Sequence, residues 1–400
     1  MKKVKLLAIV AVLIGLTACG GGNTNGSGNN PPAPLAAGPA TFHCANNSSC
    51  PEVLIDGDPM ASTNGVADAF RGYGDPSLEY DAVSGTLWMS YTWLNVIVTD
   101  PTPPAIVDFG ARTHLARSDD GGETFAFVRS INETTAEDHP GSSIPGWAAH
   151  EVSTLVKEVS GQWQLLWLRY FDPLGDSQIR SDFRYDRSVG SDPGQLGNTS
   201  EEWIRGATLS PSITVQHNLS LIPELADCSI FTEPALYADA SGTYLATYCQ
   251  VIDSQGVRQS AIERLVLLRE EGNGYSFRGN LLDASDAADR GADHLQQADI
   301  ALARDGSLIL IVTPILDNSD PKHQGCIVFD IDDLATASVV RDATGQAIPR
   351  TIITADGNGL GPGLCTYDAN SDTGILLVIT TFLENPFDSE FSLRATGIHP

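Results

Sequence analysis

The sequence is poor in basic residues: 23 Lys and Arg stand against 50 Asp and Glu in 400 residues, a formal charge of −27. Such a surface repels phosphate backbones and anionic headgroups, which excludes nucleic acid as a partner. The acids are spread along the chain, so they read as a solvated exterior and not as a polyacidic tail. Sustained helical periodicity is missing, and only Leu221 to Ala226 and Asp332 to Ala337 suit short helical turns. No G-x-S-x-G elbow accompanies Ser142, Ser143 and His139. The glycine-rich stretch from Gly357 to Gly363 lacks the Lys-Ser/Thr end of a phosphate-binding loop. Asp283, Asp286, Asp289 and Asp293 lack the EF-hand ligand order and read as a solvated acidic loop.

A spanning helix is also missing from the N-terminus. After the basic start Lys2, Lys3 and Lys5, the apolar run Leu6 to Leu16 is too short for a ~30 Å hydrocarbon core. It suits a signal peptide over residues 1–18. The exit Leu16-Thr17-Ala18-Cys19 resembles the lipobox of bacterial lipoproteins. The resemblance implies cleavage before Cys19, lipid on that cysteine and permanent anchoring by several acyl chains. Gly20 follows, where Asp marks inner-membrane retention, so the expected location is the outer membrane, on its periplasmic or surface face. Residues 19–40 carry no charge and read as a flexible tether passing into a Pro-rich stretch, with a reach of ~25 Å. Loss of residues 1–18 removes three lysines and no acid, leaving a formal charge of −30. Residues 41–400 contain no second linker and are expected to form one domain, as a monomer.

Six cysteines remain beyond Cys19, an even number that suits an oxidising compartment. Their spacings match neither zinc sites nor redox motifs, so structural bridges are expected. Cys44 and Cys50 flank a polar loop, and Cys228 and Cys249 flank a hairpin pattern. Cys326 and Cys365 are left as the third pair. Connectivity is not fixed by sequence, but this pairing needs no contortion.

The informative presence is a degenerate repeat. Asp75 to Gly85, Glu151 to Gly161, Glu233 to Gly242, Asp299 to Gly306 and Leu364 to Gly374 each lead to a glycine, and a β-rich apolar segment follows. Each copy is a β-hairpin signal, with further strand-like segments in the gaps. Five such units, each with room for a four-stranded sheet, predict an all-β, five-bladed β-propeller. Closure would come from residues 51–56 pairing with the last blade. A six-bladed ring and an irregular sandwich are the alternatives.

Ser118-Asp119-Asp120-Gly121-Gly122-Glu123-Thr124-Phe125 fits the Asp-box pattern S-x-D-x-G-x-T-W/F. It resembles the Asp-box (BNR) motifs of sialidases and related propellers, where the box joins outer strands and has an architectural meaning. Glu270 to Phe277 is a weaker echo in the third copy.

Asp75, Glu151, Glu233 and Asp299 align just before the first strand of four copies. In a propeller such slots converge on the axis. Crowded carboxylates there would have divergent pKa values, as general acid and base catalysis at a glycosidic bond requires. Asp75-Pro76 resembles the base motif of the five-bladed arabinanase and β-xylosidase type of glycosidase, and Glu233-Pro234 resembles its general-acid motif. Glu151 stands where that family has an Asp that tunes the acid. The resemblance implies a carbohydrate-active glycoside hydrolase that needs no cofactor, with Asp75, Glu151 and Glu233 as its catalytic set. Asp299, His150, Arg71, Tyr73 and Trp147 are candidates for substrate binding. His150 is expected to be a donor, its pKa raised by the adjacent acid. Sialidases instead clamp a carboxylate with three arginines. Arg169, Arg180 and Arg264 are candidates for that clamp, but the family's Arg-Ile-Pro opening is missing. Further readings are Ca²⁺ on the axis, backbone capping by the acids, and a non-catalytic propeller that binds glycan or protein.

Overall fold

The computed structural model describes residues 39–44, 49–57, 71–100, 106–139, 143–173, 181–205, 219, 222–253, 257–272, 274–382 and 389–400. The signal and lipobox segment and nearly all of the tether lie outside them. Pro39–Pro400 forms one compact unit. None of its described helices is long and apolar enough to cross a membrane.

Antiparallel meanders follow one another along the chain. Meander I runs Arg71–Asp81, Thr86–Asp100, Ile106–Ser118 and Thr124–Ser130. Meander II runs Pro145–Lys157, Trp163–Pro173, Ser181–Gly190 and Glu201–Arg205. Meander III runs Ile230–Asp239, Gly242–Gln250, Arg264–Glu271 and Gly274–Asp283. Meander IV runs His294–Leu302, Leu308–Ile315, Cys326–Asp333 and Pro349–Ala355. Meander V runs Gly363–Thr366, Leu376–Phe382 and Ser389–Ala395. The first strand of each meander packs beside the first strand of the next, and the first strand of V packs beside that of I. The fold is a β-propeller with these first strands around its axis. Apolar strand faces such as Leu165 to Leu168 and Ile309 to Val312 are buried in the packing.

The N-terminal segment stitches three meanders together. Ala40–Cys44 adds in parallel to Pro349–Ala355 of IV. Beyond the Cys44–Cys50 disulfide, Pro51 and Val53 bond to Ala395 and Leu393 of V. Leu54–Asp56 then crosses to the last strand of I. Residues 51–56 therefore divide between the last and first meanders. The other two disulfides are Cys228–Cys249, within III, and Cys326–Cys365, which ties IV to V. At the seam between V and I, Gly72 lies so close to Phe391 that a Cβ there would run into the Phe391 carbonyl oxygen. Only glycine permits that approach.

The turn of the S-x-D-x-G-x-T-F pattern joins the third and fourth strands of I. Asp120 accepts from the Ser118 hydroxyl and from the N–H and hydroxyl of Thr124, while Ser118 Oγ accepts from Gly122 N–H. Phe125 is buried beneath. The acidic stretch after III differs from the expected solvated loop. Ala284–Asp289 is a helical turn, because the Asp283 carboxylate caps the N–H groups of Ser285 and Asp286. Asp286 is buried and holds Arg341 through both oxygens at 2.6 and 2.9 Å. Leu221 to Ala226 contains the short 3-10 turn Pro223–Leu225, whereas Asp332 to Ala337 ends a strand in a turn.

Candidate functional site

Each axial strand carries a bulge, marked by a register shift and one residue at positive φ: Asp75 (44°), Val152 (49°), Glu233 (56°), Gln297 (54°) and Leu364 (54°). Each stands nine or ten residues before its turn glycine, and all five turn glycines also take positive φ. Positive φ is strained for such residues, at roughly 1–3 kcal/mol each. A following proline further restricts Asp75 and Glu233. The strain belongs to the bulge itself, since Val152 and Leu364 share it.

This register corrects the alignment of the four acids. Asp75 and Glu233 share the bulge position, Glu151 stands one residue before it, and Asp299 two residues after it. Matching by acidity, without holding the spacing to the turn glycine constant, had set the four in one slot.

Two residues after the bulge, the side chain serves a different purpose. Ser77 Oγ accepts from Leu155 N–H of II (3.1 Å), Thr154 Oγ1 from Leu236 N–H of III (2.8 Å) and Thr366 Oγ1 from Leu78 N–H of I (3.1 Å). Asp299 fills the same place in IV and accepts from Tyr367 N–H of V at 2.9 Å and from the Thr366 hydroxyl at 3.0 Å. Its carboxylate also accepts from Ile300 N–H, which Ala235 of III cannot serve. Burial pushes Asp299 up to about 6 against these donors. Asp299 lines the axial channel, and its Oδ2 is a pin between meanders IV and V. Asp299→Ala is expected to cost about 2–4 kcal/mol by stranding buried donors. Asp299→Ser should recover most of that loss, since serine or threonine does this work in I, II and V. Denaturant melts of the two variants check both outcomes.

An axial channel of about 320 Å³, including its open mouth, is lined by Asp75, Val152, Gln297 and Leu364 with the residues that follow them. Asp75 Oδ2 accepts a 2.7 Å hydrogen bond from Thr92, whose hydroxyl oxygen accepts in turn from Val152 N–H at 3.0 Å. Burial, then repulsion from Glu151, pushes the Asp75 carboxyl up to about 7 against the Thr92 and Val152 donors. Glu233 is raised well above the usual range by burial, then by the charges of Asp75 and Glu151, and Lys322 opposes this. Glu233 Oε2 is buried and takes no hydrogen bond from the described residues. Asp75, Glu151 and Glu233 therefore act on one another electrostatically, and Asp75 and Glu233 both hold their protons above the usual carboxylate range.

Because folding raises both pKa values, the folded state binds protons that the unfolded chain releases. The associated stability is complete below about pH 4 and is lost as pH rises through about 7. Asp75→Asn should therefore melt with the parent near pH 4 and about 2–5 °C above it at pH 8, as calorimetry at the two pH values would show. Asparagine tolerates the positive φ, so no new strain masks the effect.

The other expected site residues separate. Trp167 Nε1 donates to His150 Nδ1 at 3.1 Å. Burial, then Arg169 and Arg184, pushes His150 down to about 3. His150 is thus neutral, contrary to the expected cationic donor, because burial disfavours its charged form and two guanidinium groups add to that. Tyr73 is a core residue, edge-on to Tyr91 at a centroid distance of 5.6 Å. Arg71 is half-buried and paired with Glu390 of V at 3.4 Å. Trp147 is half-buried near the start of the first strand of II. Among the sialidase-type candidates, Arg169 is held by Glu137 through both oxygens and by Asp182, and Arg264 is held by Asp227. Arg180 lies outside the described residues. No three axial acids stand within reach of one ion among the described residues; the one cluster found, Asp227 with Cys228 and Cys249, contains a disulfide.

Thr92 and Lys322 escaped assignment to the site from sequence. Thr92 had a signal: Thr92 and Thr313 both stand seven residues after a turn glycine, and each accepts the N–H of the next meander's bulge residue.

No protein-family model matches the chain, and no curated protein sequence does. Among solved structures, a family 117 glycoside hydrolase from the marine bacterium Zobellia galactanivorans is 11% identical, with 86% of this chain and 88% of that one covered at a TM-score of 0.48. An α-L-arabinofuranosidase from Lactobacillus brevis is 11% identical over 81% and 90% of the two chains, at 0.49. An exo-1,5-α-L-arabinanase from a bovine ruminal metagenomic library is 13% identical over 82% and 94%, at 0.43. At such values the chemistry has to be argued from this chain's own residues.

Proposed function

We propose that the protein is a glycoside hydrolase acting with inversion, with Glu233 as general acid, Asp75 as general base and Glu151 keeping Glu233 protonated. The reading is carried by one observation: two carboxyls at the same bulge position in the ring are both held to their protons by burial and by neighbouring acids, Asp75 up to about 7 and Glu233 well above the usual carboxylate range. A base is most effective with a pKa near the working pH, and an acid must keep its proton there. Glu233 gives its proton to the glycosidic oxygen as the bond to the anomeric carbon breaks. Asp75 takes a proton from the water that attacks that carbon from the opposite side. Exchange with solvent then restores both carboxyls. Thr92 orients Asp75 through the 2.7 Å bond.

A neutral sugar suits this site better than sialic acid. The cations near it are engaged: Arg169 with Glu137 and Asp182, Arg71 with Glu390, and Lys322 with Asp317 at 3.6 Å. Three acids would repel an anionic glycon. We further propose that Cys19 carries lipid and the tether holds the propeller at the outer membrane; three disulfides suit that side of an envelope.

Turnover of aryl glycosides of neutral and acidic sugars by the purified protein tests the reading. Hydrolysis confined to neutral glycons is expected. Hydrolysis of sialosides alone, or of no glycoside, would overturn it in favour of the sialidase or the binding propeller.

A further inference from the structure

The bulge ring has a polar and an apolar part. Asp75, Glu233 and Gln297 project from meanders I, III and IV, and Val152 and Leu364 from II and V. Two of the polar groups, Glu233 at Oε2 and Gln297 at Oε1, end in a buried oxygen with no hydrogen-bond partner among the described residues. They stand at the same repeat position in adjacent meanders, and Gln297 lines the axial channel. A buried acceptor at Gln297 is costly to leave unmet and matches a ligand hydroxyl that donates to it, while Glu233, holding its proton, offers a donor to a ligand oxygen.

The backbone at Gln297 points the same way. It holds φ of +54° in a bulge that Leu364 shows to be compatible with an apolar side chain. The amide is therefore not needed to make the bulge, and its terminal oxygen takes no hydrogen bond from the described residues. The neighbouring polar work is done elsewhere: Asp299 pins IV to V, and Thr313 accepts the Leu364 N–H at 2.9 Å. The amide can both accept and donate, which fits a hydroxyl that acts as donor to one group and acceptor from another.

We propose that Gln297 is a substrate-positioning residue that engages one hydroxyl of the sugar seated over the axis; this rests on the glycosidase reading above. With Glu233 holding the glycosidic oxygen, Gln297 in the next meander fixes the rotation of the ring about the axis. It thereby selects glycons with a hydroxyl on that edge. Val152 and Leu364 offer no such partner on their side, so the selection is one-sided.

The test uses Gln297→Asn and Gln297→Ala on the aryl glycoside that the parent turns over best, together with the monodeoxy forms of that glycoside. Asparagine tolerates the positive φ, and it draws the amide back by one methylene. The expected result is a melting temperature at or near the parent's, with kcat/KM about 10–100-fold lower on the full substrate. On one monodeoxy substrate, the parent and both variants should react at the same rate, because the hydroxyl that Gln297 serves is gone. A merely structural role would lower all substrates alike, and that result would overturn the proposal. Wild-type kcat/KM in both variants would also overturn it, while leaving the glycosidase reading intact. A parent that hydrolyses no glycoside removes that reading and this proposal together.

Discussion

Asp75→Asn is expected to lower kcat/KM by about 10³–10⁴-fold on every glycoside, whatever the leaving group. The amide keeps the shape and can still meet Thr92, but it cannot take a proton from water. The loss should be in kcat, because the sugar is held by other groups. In the parent, kcat/KM should rise as pH rises through about 7, where Asp75 ionises, and fall at higher pH as Glu233 loses its proton. The variant should lose the acid limb. Steady-state rates from pH 5 to 9 check this, and an unchanged acid limb would remove Asp75 from the base role. The pair is coupled, so the two limbs report the pair and not isolated side chains.

Glu233→Gln is expected to show a dependence on leaving group that Asp75→Asn does not. An alkyl glycoside needs its departing oxygen protonated and should slow by about 10⁴-fold. An aryl glycoside with a strongly acidic phenol should slow by only about 10-fold. The contrast separates loss of an acid from loss of structure, which would depress both substrates equally. Rates across a series of substituted phenyl glycosides give the measurement. A steeper dependence on phenol pKa in the variant is the expected result; parallel lines would contradict the assignment.

The repeat was legible because its glycines are obligatory. The turns at Gly85, Gly161, Gly242, Gly306 and Gly374 all need positive φ, so their spacing survives where little else is shared. The disulfide pairs were legible too: Cys44 and Cys50 flank a short loop, Cys228 and Cys249 flank a hairpin, and Cys326 and Cys365 remain. The bulges left no such trace. Asp, Val, Glu, Gln and Leu have no chemistry in common, and their backbone is forced by the strand pairing around them. Matching acids therefore drew Glu151 and Asp299 into a slot that belongs to Val152 and Gln297. The pin made by Asp299 becomes visible only beside Ser77, Thr154 and Thr366, whose oxygens do the same work in three other meanders.

Tertiary neighbours also decided the charges. His150 is set by its burial and then by Arg169 and Arg184, which come from other strands of its meander. Asp286 is neutralised by Arg341, a residue from the far side of meander IV, so an apparently solvated acid is a buried one. The prolines after Asp75 and Glu233 mark the pair in the sequence, and the structure gives the two a common backbone position. Both share a strained bulge position, and burial there, more than the dipeptide, gives them their protons.

Proton NMR of the first-formed sugar is the most direct test of an acid and a base working from opposite sides of the anomeric carbon. The hydrolysis of a single-anomer glycoside is followed before mutarotation scrambles the product. The expected result is the opposite anomer from the substrate. First formation of the same anomer would make one of the two carboxylates a nucleophile and contradict the proposed mechanism.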